Sequence, residues 1–394
     1  MGKLKRNLGW KTYGLFGLGN IIGAGIYVLI GEVAGEAGNG AIWSFVAAGL
    51  VAGFTVISYS ALSTKFPLSA AEAVFVLRSF SNRSLALLVG LTLTFAGIVS
   101  SGVLLNGFAN YFSELIDIPK VIFIVSALVI LSAIAIKGIK ETAKFAVFIT
   151  ILEVAGLAII ILTSSLSPDF IANANNVISN SLEASVLPIL FGSFLAFYAF
   201  IGFEDMVNVA EEVKDPKKNV RRGMLFAMVS AMVLYVLVAV AALSVIPANQ
   251  LAESDAPLAA VFNKTSNIDF PLITVIGLFA IVNGIIAQII MASRVLYGLS
   301  REKLVPGWFG KVNQKTKTPI NSTILVSVIM LAGALSLPLV TLASMTSLGL
   351  LFIFSVVHAC CLKLRKHLNI SPAIPAIGLI LNAGIILVQI LQYF

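Results

Sequence analysis

The sequence predicts an all-α membrane protein with eleven transmembrane helices, and three observations carry that expectation. Of 394 residues, 59% are hydrophobic and only 11% charged, where a soluble domain carries about 25% charged residues. Apolar runs of 18 or more residues recur from end to end, long enough for helices that cross a hydrocarbon layer about 30 Å thick. Counting those runs as crossings also places nearly all the basic residues on one side.

The spans are expected near 13–34, 41–63, 84–112, 119–137, 143–164, 186–209, 223–246, 270–299, 320–337, 339–362 and 373–392. The first follows a basic start, MGKLKRNLGW, with no small-residue cleavage site after it, so it reads as a retained helix. The second ends before Lys65, Arg78 and Arg83, which precede the third. The third and eighth run long and should tilt or project from the bilayer. Lys137, Lys140 and Lys144 separate the fourth from the fifth. The stretch 165–185 holds no Lys or Arg and reads as an external loop. Lys214, Lys217, Lys218, Arg221 and Arg222 separate the sixth from the seventh. Arg294, Arg301, Lys303, Lys311, Lys315 and Lys317 lie at or after the end of the eighth, and Lys363, Arg365 and Lys366 after the tenth.

With the four basic residues of the N-terminal stretch, this puts 24 of the 26 Lys and Arg on one face, leaving Lys120 and Lys264 on the other. The positive-inside rule then sets the N-terminus in the cytoplasm and the C-terminus outside. The net charge of +8 is thereby a matter of topology and implies no nucleic-acid partner. Cys360 and Cys361 are adjacent in an apolar run, which gives neither a disulfide framework nor a metal spacing. No phosphate-binding G-x-x-x-x-G-K-[ST] loop is present. Nothing suggests a cofactor, a metal or covalent catalysis; His358 and His367 sit in or just past the tenth span without a nucleophile beside them.

The first span contains GNIIGAGIYVLIG (19–31), in which Gly19, Gly23, Gly25 and Gly31 each weaken a helix by roughly 1 kcal/mol relative to alanine. Five spans later PILFGSFLAFYAFIGFEDM carries Pro188, Gly192 and Gly202 as interruptions, with Glu204 and Asp205 beside the last. Broken helices at matching places in two halves point to an inverted repeat with a site at the midplane. Unwound backbone within a membrane is tolerable only where it lines a cavity or meets a ligand. Helix N-termini there attract anions and freed carbonyls attract cations, so a zwitterion fits both. The plain alternative is that the glycines let neighbouring helices pack closely.

These segments resemble the amino acid–polyamine–organocation transporter superfamily. GNIIGAGIYVLIG is similar to its first-helix motif, GFEDMVNVAEEVKDPKKNVRRGM (202–224) to its sixth helix and following loop, and SRVLYGLSREKLVPGWFGKVN (293–313) to the end of its eighth helix. FPLSAAEAVFVLRSF (66–80) is a looser match, with Ala70-Ala71 where the family has a Gly-Gly pair. GAGIYVLIGEVAGEAG also looks like the cationic amino acid transporter branch.

The resemblance implies a five-plus-five inverted repeat, about 13–164 and 186–362, with an extra helix at 373–392. It implies a secondary transporter in the plasma membrane that moves amino acids by alternating access. Ile21, Ile22, Gly23, Ala24 and Gly25 would form the unwound stretch, with N–H groups near Ala24 and Gly25 on the substrate carboxylate. Carbonyls near Ile21, Tyr198 and Ile201 would meet the amine, Gly202 would form the second break, and Tyr198 and Phe203 would be lids or walls.

Ionisable groups inside a membrane are functional candidates by default. Glu153 lies deep in the fifth span with no basic residue near it in sequence, and is the candidate for ion coupling as a proton carrier, a structural group or a sodium ligand. Glu204 and Asp205 are candidates for gating or for bracing the break. Glu211 and Glu212 would sit at the cytoplasmic end, in an inner gate or on a solvated helix end. Ser100, Asn106, Asn283, Gln288 and Ser293 would line a pathway or bond between helices. Coupling to protons, coupling to sodium, pure exchange and a transporter-like sensor all remain compatible with these motifs.

Overall fold

A computed structural model describes residues 8–23, 25–66, 71–137, 143–208, 210, 213–266, 268, 271–316, 318–368 and 370–391. Helices α1 (Trp10–Ile22) and α2 (Gly25–Ala37) are the two halves of the first apolar segment. A 3-10 turn, Gly38–Gly40, carries α2 into α3 (Ala41–Lys65). The short amphipathic α4 (Ala71–Phe80) leads to α5 (Arg83–Ser113), α6 (Lys120–Lys137) and α7 (Ala143–Ser165). Asn82 caps α5, its side-chain oxygen accepting the Leu85 N–H at 3.0 Å, which satisfies one of the N–H groups a helix start leaves free.

Helix α8 (Phe170–Leu182) is bent 109° from α9 (Val186–Ala199). It occupies most of the stretch expected to be an external loop, and its Ala174, Val177 and Ser181 are buried. A single turn, α10 (Asp205–Asn208), precedes α11 (Pro216–Val245). Two short helices, α12 (Ala248–Ala252) and α13 (Pro257–Thr265), connect to α14 (Leu272–Arg301). Helices α15 (Ile320–Ser336), α16 (Leu339–Lys363) and α17 (Ala373–Leu391) complete the chain, with a 3-10 turn, Arg365–His367, after α16.

Among the described residues there is no strand, only a bridge between Leu8 and Val213. Eight helical runs are long and apolar enough to cross a membrane, or nine if the bent α8–α9 pair is one span. The difference from eleven has local causes. Helices α1 and α2 have 13 residues each, and the turn at Gly38–Gly40 fuses α2 with α3 into one 41-residue run. Helix α15, at 17 residues, is slightly short.

The surface confirms the solvent. Val121, Ile122, Val129 and Ile130 on α6, Val229 and Val233 on α11, Ile324 and Val328 on α15 and Ile380 on α17 are all exposed. Such a belt suits lipid rather than water, and this is a multi-pass membrane protein. Helix α5 packs against α14, α15 and α16, while α1 is enclosed by α7 and α11 and α2 lies on α9. The one ion pair among the described residues, Lys120 with Asp255 at 2.9 Å, sits on the sparsely basic face.

Polar side chains inside the bundle tie helices together. His358 on α16 is fully buried, with Nδ1 2.9 Å from the Ser58 hydroxyl and Nε2 3.2 Å from that of Thr55, both on α3. Gly378 on α17 lies directly against its ring. Asn106 on α5 donates to its own Gly102 carbonyl at 2.9 Å and to that of Ala334 on α15 at 3.0 Å. Cys360 and Cys361 are free, buried packing residues. His358→Ala leaves the Ser58 hydroxyl without this partner and opens a cavity, so it should destabilise the protein by about 1–3 kcal/mol. A thermal unfolding curve in detergent checks this.

Candidate functional site

The glycines of the first segment divide into two kinds. Gly17 and Gly19 lie inside α1, where an added Cβ would meet the Met206 side chain and Thr150 Oγ1 respectively. These are close-packing positions, as is Gly31 within α2, where an added Cβ would stand 2.7 Å from the Leu251 carbonyl oxygen. Gly23 and Gly25 form the break. Gly23 has φ +26°, which an L side chain rarely adopts, and its N–H closes the last turn of α1 on the Gly19 carbonyl at 2.8 Å. Ala24 lies outside the described residues.

The second break is shorter than the sequence suggested. Pro188 falls in the first turn of α9, where it has no helical N–H to lose, and Gly192 is an interior packing position against Ser44. Neither interrupts the helix. The interruption is the turn 200–204, centred on Gly202 with φ +122°. A Cβ there would strike the carbonyl of Asn20, and a Cβ on Gly25 would stand 2.7 Å from Ala199 Cα. The two breaks therefore touch, backbone to backbone, through the two positions that lack side chains.

At that junction Tyr235 of α11 reaches both helix ends. Its hydroxyl lies 2.7 Å from the Ile21 carbonyl oxygen, 2.8 Å from that of Ala199 and 3.4 Å from that of Ile22. A phenol has one proton to donate, so it cannot fully serve three acceptors. The partial negative charge at the C-terminal ends of α1 and α9 converges on the same point. An ammonium group, with three donors, matches this array. The Tyr198 carbonyl accepts the Ile201 N–H at 3.1 Å, and the α9 carbonyl that faces Tyr235 is that of Ala199. The sequence marks Tyr235 only as a polar-headed aromatic in an apolar run, and its role needs the three-dimensional meeting of α1, α9 and α11.

Beside the second break Ser100, Ile201, Glu204, Gln288 and Thr346 are among the residues that line a cleft too narrow in this state to admit a water molecule. The Tyr198 hydroxyl is bonded to Ser100, 2.8 Å from its Oγ and 3.1 Å from its carbonyl oxygen. Gln288 is buried with its side-chain oxygen unpartnered. Phe203 packs its ring on Tyr59 and Phe354, with centroids 5.7 and 5.0 Å away. Ser293 donates to the Ile290 carbonyl of its own helix.

Glu153 of α7 is 1% exposed, and neither carboxyl oxygen has a hydrogen-bond partner among the described residues. Its backbone carbonyl accepts the Tyr27 hydroxyl at 3.1 Å, and an ionised carboxylate here would act electrostatically on Tyr27 and Tyr235. One turn away Thr150 donates to the Leu15 carbonyl of α1 at 3.2 Å. An ion coordinated or released at Glu153 would thus be felt by the residue that joins the two breaks.

A second acidic group lies below the second break. Glu204 accepts the Gly202 N–H on Oε2 at 2.8 Å, bracing the turn. Asp205, partly buried at the start of α10, interacts with Glu204 and with Glu72 of α4. Glu72 is 2% exposed; Oε1 accepts the Tyr59 hydroxyl at 3.4 Å, and Oε2 is unpartnered. Burial pushes the Glu72 carboxyl up to about 7, with the Glu204 charge adding to the rise and its own backbone and Tyr59 hydrogen bonds opposing it. Glu211 and Glu212 lie outside the described residues. The sequence could not single out Glu72, because α4 reads as a solvated loop helix until it folds against α5 and α16.

Comparison with known proteins gives one family. The amino acid permease family model matches residues 8–394. A methylthioribose transporter of Bacillus subtilis (strain 168) is 28% identical, over 98% of this chain and 87% of that protein. The branched-chain amino acid permease BcaP of the same organism is 30% identical, over 92% of this chain and 82% of its own length. A vacuolar cationic amino acid transporter of Arabidopsis thaliana is 27% identical over 89% of this chain; the match spans 61% of the plant protein.

Two outcomes follow from the geometry. Gly202→Ala forces a Cβ into the Asn20 carbonyl from a strained backbone, so it should cost about 1–3 kcal/mol and separate the two breaks; unfolding temperature and ligand binding both report it. For Glu72 the native carboxyl titrates near 7 and the unfolded one near 4.5. The native state then holds the proton longer, and stability falls as pH rises between those values. Glu72→Gln should make the fall in unfolding temperature over that window shallower.

Proposed function

The chain belongs to the amino acid permease family of membrane transporters, and from that premise we propose that it is a secondary transporter carrying an amino acid across the plasma membrane by alternating access. It is a transporter and not an enzyme. The observation that carries the proposal is the meeting of the two breaks at Tyr235. The substrate ammonium takes donors' places at the Ile21, Ile22 and Ala199 carbonyls, and its carboxylate takes the free N–H groups at the start of α2, beyond Gly23 and Ala24. The side chain lies toward Ser100, Tyr198, Ile201, Glu204 and Gln288, with Phe203 as the wall below.

The proposed architecture has eleven crossings, in which α1 with α2 forms the first and α9 with α10 the sixth. Two inverted repeats, about 13–164 and 186–362, are followed by α17, with the N-terminus cytoplasmic and the C-terminus external. Supporting it, the basic residues segregate 24 to 2 under this count. Glu153 is the proposed coupling group, because a buried carboxyl with two unpartnered oxygens calls for a proton or a cation, and a proton fits a site with no other oxygen donor bonded to it. Sodium coupling and uncoupled exchange are the competing drives. A second reading follows from the methylthioribose transporter among the relatives: the cleft beside Ile201 would then hold a thioether sugar with no ammonium group.

Uptake of a panel of radiolabelled amino acids and methylthioribose into proteoliposomes, with and without an imposed pH gradient, separates these cases. Accumulation of one amino acid class that collapses with the gradient is expected, with Glu153→Gln reduced at least tenfold in accumulation but still able to exchange. Accumulation indifferent to both the gradient and the substitution would exclude the proton mechanism. Tyr235→Phe keeps the ring and removes the donor that competes for these carbonyls, so it should destabilise the substrate-free protein by about 1–3 kcal/mol and enlarge the rise in unfolding temperature that substrate produces.

A further inference from the structure

A cavity of about 300 Å³ opens on the basic face, well away from the breaks, between the end of α3, the start of α11 and the connection from α16 to α17. Lys65, Lys217, Arg221 and His367 line it, with Ser60 and Thr64 among the polar remainder. The two hydroxyls donate to the Ile57 and Ala61 carbonyls of their own helix, each at 2.8 Å. The donors left to face the cavity are therefore the basic side chains. No carboxylate lines the cavity, and among the described residues none of the four basic groups forms an ion pair.

Like charges gathered around one concavity repel unless something negative sits among them. A cavity of this size, at the ends of candidate spans Gly25–Lys65, Pro216–Val245 and Leu339–Lys363, lies where a lipid headgroup does. Ile57, Ala61, Leu368 and Ile370 give it an apolar wall for the glycerol end of such a molecule. We propose that this cavity binds a phosphate-bearing anion, supplied by the headgroup of an anionic phospholipid or by a soluble phosphate compound. Arg221 offers a planar fork to the phosphate oxygens and the two lysines offer point charges. Occupancy ties α3 and α11 to the α16–α17 connection. Because α11 also carries Tyr235, the anion biases the element that joins the two breaks.

The test measures unfolding temperature of the purified chain in an uncharged detergent, and does not depend on transport or on the substrate. The probes are dihexanoyl phosphatidylglycerol, dihexanoyl phosphatidylcholine and inorganic phosphate. Stabilisation by phosphatidylglycerol alone identifies a lipid headgroup, and stabilisation by inorganic phosphate as well identifies a site open to soluble phosphates. In either case the Lys217→Gln/Arg221→Gln variant should need at least tenfold more probe, and Lys65→Gln an intermediate amount. Lys311→Gln, an exposed lysine of the same face outside the cavity, should respond as the wild type does. No stabilisation by either anionic probe, or an equal response in the cavity variants, overturns the proposal.

Discussion

Hydrocarbon offers nothing to an unpaired backbone N–H or C=O, and this one constraint organises the molecule. In the other described membrane-spanning runs the chain obeys it by staying helical. At Gly23–Gly25 and at 200–204 it does not, so the freed groups must be served by other parts of the protein or by a ligand. The rest of the bundle can be understood as the support those two breaks require. Helix α11 supplies Tyr235, whose hydroxyl serves the carbonyls that end α1 and α9, and Glu204 turns back to hold the Gly202 N–H.

The same constraint explains why small residues appear where they do. Gly25 and Gly202 bring two polypeptide backbones within contact of each other, which any Cβ would prevent. The result is a compact array of carbonyl oxygens with more acceptors than the single tyrosine proton can satisfy. An ammonium group would complete it, and an ionised Glu153 would act electrostatically on Tyr235. Substrate and coupling ion would therefore act on one joint rather than at two independent sites.

Much of this was legible in the sequence because it depends on local chemistry. Apolar length marked a multi-pass membrane protein, and glycine in the middle of a span marked both breaks. What stayed hidden depends on tertiary meeting. Pro188 and Gly192 look like interruptions in a one-dimensional reading, but a first-turn proline and a packed glycine leave α9 intact. Helix α8 escaped because its polar composition, rich in Asn and Ser, resembles a loop until Ala174 and Val177 are buried. Tyr235 and Glu72 carry no motif; only the approach of α11 to both helix ends, and of α4 to α5 and α16, makes them notable. The Lys and Arg residues read as a topology signal, yet three of them, Lys65, Lys217 and Arg221, also share a cavity that no linear pattern reveals.

The most direct test is an experimental structure with the transported substrate bound. The account predicts a substrate amine within hydrogen-bond distance of the Ile21 and Ala199 carbonyl oxygens, with the Tyr235 hydroxyl displaced from at least one of them. A substrate bound elsewhere, with Tyr235 still bridging α1 and α9, would contradict it.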